Sequence, residues 1–225
     1  MKTDLVLFGG SFDPVHHGHL IVARAIAEQL GVKRITLVPA ACSPHKTGRG
    51  PGKADAASGG PPHASAAHRL AMLRLATEGE AVFEICELEI NRAGPSYTLD
   101  TLVELKAMHG HGAKLRWVIG ADMLEDLPAW RRVEEVLAAA DMVIAARPPW
   151  QERLSGIFAS LENRIKPQWI NKLRQSVLAT PVIDISSTVI RERLAVGRSI
   201  RYLVPEAVRA YIGSQGLYGP PKKIQ

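Results

Sequence analysis

Short apolar runs alternate along the chain with stretches whose apolar residues recur every three or four positions. Leu5-Val6-Leu7-Phe8 is continuously apolar, as a strand covered on both faces would be. Ile35-Thr36-Leu37-Val38, Trp117-Val118-Ile119 and Met142-Val143-Ile144-Ala145 read the same way, ended by Pro39, Gly120 and Arg147-Pro148-Pro149. Residues 83–90, with partial alternation, and 181–184 are two further strand candidates. Helical spacing marks residues 20–30 through Leu20, Ala23, Ala27 and Leu30, with Gly31 placed to close the helix. Ser65 caps a predicted helix over 66–78, and Gly79 closes it. Helices are also predicted over 97–108 and 131–138, and as two short pieces within 150–176 broken at Pro167. The last two are 189–196, closed by Gly197, and 206–212, with Pro205 at its first turn. Strand and helix alternate throughout, which predicts an α/β fold: an open parallel sheet with helices on both faces. The 225 residues suit one domain, 1–225, with a helical part over 186–225.

Composition changes this picture in one place. From Ala40 onward the pattern lapses, and residues 47–63, rich in Gly, Pro, Ala and Ser, read as a mobile surface loop. Elsewhere, 46% hydrophobic and 22% charged residues are ordinary for a globular protein. The two cysteines, Cys42 and Cys86, form no C-x-x-C, so neither zinc nor a redox pair is implied, and they fit a reducing compartment. The apolar run at the start is too short for a signal peptide, and no 18-residue apolar stretch exists. A cytoplasmic protein without a membrane partner is expected. The net charge of +6 favours anionic partners, but adjacent basic residues occur only as pairs and aromatics make up 5%. That argues against a stacking platform for single-stranded nucleic acid and leaves anionic lipid and small anionic substrates open.

The chemistry concentrates in Gly9-Gly10-Ser11-Phe12-Asp13-Pro14-Val15-His16-His17-Gly18-His19, a strand-to-helix turn. A helix start offers free backbone N–H groups and positive potential, which suit a phosphate. Glycine lets the backbone approach a ligand, and His16 and His19 add donors beside it. The stretch is neither G-x-G-x-x-G nor a P-loop. Ile185-Ser186-Ser187-Thr188-Val189-Ile190-Arg191 is a second candidate: hydroxyls at a helix start with Arg191 one turn in. Ordinary N-capping explains Ser187 or Thr188 equally well. Asp122, just past a predicted strand end, lies where doubly wound sheets bind ligands, or is a solvated strand-end carboxylate.

The first stretch resembles the [HT]-x-G-H signature of the nucleotidylyltransferase superfamily, and the second resembles its ISSTxIR motif. Pro44-His45-Lys46, Gly94-Pro95-Ser96-Tyr97-Thr98, Ile119-Gly120-Ala121-Asp122, Leu127-Pro128-Ala129-Trp130 and Ser199 to Pro205 are similar to bacterial nicotinate-nucleotide adenylyltransferases. The resemblance implies a Rossmann-like fold and adenylyl transfer from ATP to nicotinate mononucleotide, with Mg²⁺ carried mainly by ATP phosphates. It implies catalytic roles for His16, His19, Lys46 and Arg191, with Arg191 on the β- and γ-phosphates. It assigns ATP binding to Gly9, Gly10, Ser11, Phe12, Gly18, Gly120, Asp122, Ile185, Ser187 and Thr188, and the nicotinate side to Tyr97, Thr98 and Trp130. For Trp130, core packing competes with stacking on the pyridine ring. A homo-oligomer is compatible with the sequence. The Gly/Pro-rich loop is longer than is usual for the family it resembles, and residues 150–176 match no motif.

Overall fold

The computed structural model describes residues 4–42, 63–146 and 150–219. Lys46 and nearly all of the 47–63 loop lie outside the described residues. Six strands form one sheet in the order β3-β2-β1-β4-β5-β6, all pairs parallel. They are β1 (Asp4–Gly10), β2 (Ile35–Pro39), β3 (Phe83–Ile85), β4 (Lys114–Gly120), β5 (Asp141–Ala146) and β6 (Val177–Ala179). The chain builds outward from β1 to β3, then returns to lay β4 on the other side of β1. Strand order therefore reverses between β1 and β4, and the crevice beyond their carboxyl ends is the ligand position of such sheets.

Side-chain alternation divides each central strand between two cores, which is why these strands read as unbroken apolar runs. Leu7, Trp117, Ile119, Met142 and Ile144 face one layer. It is completed by α4 (Thr98–His109), α5 (Val133–Ala139), α6 (Trp150–Leu161) and α7 (Pro167–Gln175). Val6, Val118, Val143 and Ala145 face the other. That layer is closed by α1 (His17–Gln29), α2 (Ala66–Thr77), α8 (Ser187–Ala195) and α9 (Glu206–Gln215). A short turn, α3 (Leu88–Asn91), completes the helices of the described residues.

Three expectations change. The strand expected over 83–90 ends at Ile85, after Cys86 N–H donates to the Leu37 carbonyl. The chain then coils into α3 and buries Glu89, whose carboxylate accepts from Thr101 Oγ1 at 2.7 Å. Burial raises the Glu89 pKa, opposed by hydrogen bonds from Thr101 and Ser96 and by the Arg92 charge. The edge strand is Val177–Ala179 rather than 181–184. Pro181 has no N–H to give a ladder, and the last bond to β5 is Thr180 N–H to Ala146 O at 2.9 Å. Helix α1 begins at His17, three residues before the expected start, which brings both histidines onto its first turn.

Gly9 meets a packing demand as well as lining the crevice. A Cβ there would lie 2.5 Å from Cζ2 of the buried Trp117. Overpacking of this kind costs about 1–3 kcal/mol. Gly9→Ala is expected to lower the urea unfolding midpoint accordingly; an unchanged midpoint would show that Trp117 yields freely.

Candidate active site

Beyond the carboxyl ends of β1, β4 and β5 lies a cleft of about 370 Å³. Its walls come from two helix starts, α1 with His16, Gly18 and His19, and α8 with Ser186, Ser187 and Thr188. Gly9, Gly120 and Asp122 form the strand-end side. Both helices direct the positive ends of their dipoles at one space, the arrangement that binds phosphate.

The α1 start is a reciprocal cap. His16, the N-cap, accepts the His19 N–H on Nδ1 at 3.4 Å, and His19 Nδ1 accepts the His16 N–H at 3.3 Å. The rings stack with centroids 3.7 Å apart. An Nδ1 that accepts a backbone N–H carries no proton, so each neutral ring carries its proton on Nε2. Each imidazole is thereby set as an Nε2–H donor. Gly18 permits this: a Cβ there would lie 3.0 Å from His16 Nδ1. The α8 start uses its hydroxyls separately. Ser186 caps by accepting the Val189 N–H at 3.2 Å, and Ser187 Oγ donates to the Pro14 carbonyl at 3.0 Å. The two helix starts are thus tied together.

Behind the cleft sits a buried polar node. The Asp13 carboxylate, 3% exposed, accepts from Tyr218 Oη at 2.7 Å, from Ala64 N–H at 3.1 Å, and from the His63 ring. Burial pushes this carboxyl up, but the bonds from Tyr218, His63 and Ala64 outweigh it and hold it below the ordinary Asp value. Burial pushes the Tyr218 phenol up, reinforced by the negative charge of Asp13. Arg191 does not line the cleft: its side chain is 7% exposed, and its guanidinium donates to the Asp13 carbonyl at 2.7 Å. Arg69, equally buried, donates to Ser11 O at 2.6 Å and Ala41 O at 2.9 Å.

The predicted site residues therefore separate into groups. Gly9, His16, Gly18, His19, Gly120, Asp122, Ile185, Ser187 and Thr188 line one cleft. Gly10, Ser11 and Phe12 do not; Phe12 is buried beneath His19, with ring centroids 5.0 Å apart and φ of 48°. A Cβ on Gly120 would meet the Asp122 carboxylate, the movable end of that side chain. Tyr97 and Thr98 begin α4 at the same edge of the sheet but outside this lining. Ser96 pins that start beside β2: its Oγ accepts the Ala41 N–H at 3.0 Å, and its N–H donates to Cys42 O. Trp130 is packed in the core with Leu124 and Leu127.

Sequence reasoning missed Met123, Trp150, Thr180 and Ile183, which supply much of the cleft's remaining wall. Trp150 opens α6 just past β5, with the Arg153 guanidinium 5.0 Å from its ring centroid. Its signal was its position, an aromatic residue following a strand end.

The cytidylyltransferase-like family model matches residues 7–193. A protein of Thermomicrobium roseum named probable nicotinate-nucleotide adenylyltransferase is 39% identical over 214 residues, 95% of this chain and 91% of that one. A Roseiflexus castenholzii protein of the same name is 40% identical, covering 94% and 96%. The chain belongs to the nicotinate-nucleotide adenylyltransferase family. The fold is also that of a solved structure of low sequence identity. Plasmodium falciparum nicotinic acid mononucleotide adenylyltransferase complexed with NaAD superposes with a TM-score of 0.71 at 19% identity, covering 96% of this chain and 98% of that one. The Rossmann-like sheet expected from the resemblance is the one observed. Among the described residues no helix is long and apolar enough to cross a membrane.

Asp13 makes stability pH-dependent with a definite sign. Its folded-state pKa lies below the 3.8 of the free side chain, so its contribution is fully present above 3.8 and is lost as pH falls through the folded-state value. Asp13→Asn is expected to destabilise by roughly 1–3 kcal/mol at pH 7. In urea unfolding the gap from the parent should narrow as pH drops below 3.8. A gap constant from pH 7 to pH 3 would contradict this.

Proposed function

We propose that the chain transfers the adenylyl group of ATP to nicotinate mononucleotide, giving deamido-NAD and pyrophosphate. The observation that carries the ATP half is the convergence of the α1 and α8 starts, with their paired imidazoles, on one cleft at the strand-order reversal. The acceptor is carried by the names of the relatives, at 36–40% identity over nearly the whole chain.

The chemistry asks little of acid–base groups. A phosphate monoester has its second pKa near 6, so the acceptor phosphate is mostly a dianion at pH 7 and needs no base. One of its oxygens attacks the α-phosphorus of ATP, the bond from that phosphorus to the bridging oxygen breaks, and pyrophosphate departs with the electron pair. Catalysis is then positioning and charge neutralisation. The Nε2–H groups of His16 and His19 bind ATP phosphates, with His19 nearest the α-phosphate. Thr188 and the first N–H groups of α8, that of Ser187 among them, hold the β- and γ-phosphates. Asp122 accepts from a ribose hydroxyl, and the apolar wall of Met123, Ala145, Trp150 and Ile183 takes the adenine. Lys46 is assigned to phosphate neutralisation on the family resemblance alone. Arg191 acts from behind, holding the Asp13 carbonyl.

The nicotinate carboxylate is directed to the α4 start. Tyr97 places no side-chain hydrogen bond on that first turn, and the positive helix end favours a carboxylate over an amide. Mg²⁺ accompanies ATP in nucleotidyltransferases of this kind. Among the described residues no three His, Cys, Asp or Glu side chains converge on a metal position. The donor set fits an ion held by phosphate oxygens, where it would neutralise charge on the triphosphate. We assign the reaction to the cytoplasm, a location compatible with a transferase that consumes ATP.

Pyrophosphate release with ATP and Mg²⁺ tests the reading, supplying nicotinate mononucleotide, nicotinamide mononucleotide or phosphopantetheine. The first should be used best; faster turnover with either other acceptor would contradict the assignment. His19→Ala should lower turnover by roughly a hundredfold or more. A change confined to ATP affinity would remove His19 from the transition state.

A further inference from the structure

Tyr218 is 205 residues from Asp13 in sequence, yet its hydroxyl donates to the Asp13 carboxylate inside the protein. It follows α9, past the Gly216 cap, and is 3% exposed. Its backbone adopts φ of 60°, a left-handed conformation that costs a non-glycine residue roughly 1 kcal/mol or more. The chain accepts that conformation where the ring is buried and the hydroxyl meets Asp13. The Asp13 main chain and side chain belong to the turn that leads into His16. Its carbonyl is held by Arg191, its carboxylate by Tyr218, His63 and Ala64, and the neighbouring Ser11 carbonyl by Arg69. The following Pro14 carbonyl is held by Ser187 of the opposite helix start. Apart from Ser187, none of the side chains making these contacts lines the cleft, and all of the contacts bear on where the His16–His19 pair sits.

We infer that Tyr218 is a positioning residue for adenylyl transfer, setting the paired imidazoles against the triphosphate through Asp13. The inference deepens the reading of the cleft as an ATP site and rests on it. The C-terminal segment then does more than cover the sheet. It carries the donor that fixes a turn built by the first strand, so the two ends of the chain complete one site. Among the donors to Asp13, Tyr218 has the most direct consequence. The phenol stays protonated throughout the working pH range, because burial and the adjacent carboxylate both push it up. It therefore donates to Asp13 throughout that range.

Tyr218→Phe removes the donor and keeps the ring. Losing a hydrogen bond to a charged group is expected to lower kcat about tenfold and raise the ATP KM several-fold, with the KM for nicotinate mononucleotide within twofold of the parent. A residue that served stability alone would shift the thermal midpoint and leave kcat per folded molecule unchanged. Folded protein with kcat and ATP KM both within twofold of the parent overturns the proposal, whatever the midpoint does. Asp13→Asn probes the same link from its other end and stands in if Tyr218→Phe does not fold. Its kcat should fall at least as far, and the double variant should lose no more than Asp13→Asn alone. Additive losses in kcat would overturn the route through Asp13. Calorimetric affinity for a non-hydrolysable ATP analogue gives a readout independent of the acceptor. If the parent protein transfers to none of the acceptors, the acceptor assignment fails, while weaker analogue binding by Tyr218→Phe still supports the positioning role and unchanged binding still overturns it.

Discussion

A buried carboxylate is stable only when its lone pairs are met, and the turn after β1 is organised around meeting those of Asp13. The donors come from three distant parts of the chain: His63 and Ala64 ahead of α2, Arg191 in α8 at the backbone carbonyl, and Tyr218 beyond α9. Two buried cations and one buried anion are expensive to assemble, and removing any one leaves the others uncompensated. The turn is consequently over-determined, and it presents the α1 helix start in a fixed orientation.

That fixed start explains how the site handles charge without many formal charges in its walls. Of the described titratable side chains lining the cleft, only Asp122 is an acid, and the histidines are set as neutral donors by their reciprocal cap. Positive potential comes from the ends of α1 and α8 instead, and helix dipoles are already oriented before the reaction begins. Ser187 bridging to Pro14 keeps the two ends at one separation. Among the described residues, the cations Arg69 and Arg191 stand one layer back, where they hold carbonyls of the turn.

Much of this was legible in the chain. Continuous apolar runs gave the buried strands because helices cover both faces, and the Gly–Gly turn with two histidines marked the cleft before any geometry was known. What escaped notice had local causes. Residues 83–90 alternate enough to look like a strand, but burying Glu89 against Thr101 requires a helical turn. Residues 181–184 have strand composition, yet Pro181 cannot join a ladder, and the segment instead brings Ile183, and Ile185 just after it, to the cleft wall. Arg191 belongs to a motif that suggests phosphate contact, and only the fold reveals that its guanidinium turns inward. Tyr218 carried no signal at all, because nothing in sequence links the end of the chain to Asp13.

The central claim is that the α1 and α8 starts share one triphosphate, with His16 and His19 donating through Nε2. A crystal structure of the protein with Mg²⁺ and a non-hydrolysable ATP analogue tests it most directly. The account predicts phosphate oxygens within hydrogen-bond distance of both Nε2 atoms and of the α8 N–H groups, with Asp122 on the ribose. A triphosphate bound away from either helix start, or imidazoles turned so that Nδ1 faces the phosphates, would contradict it.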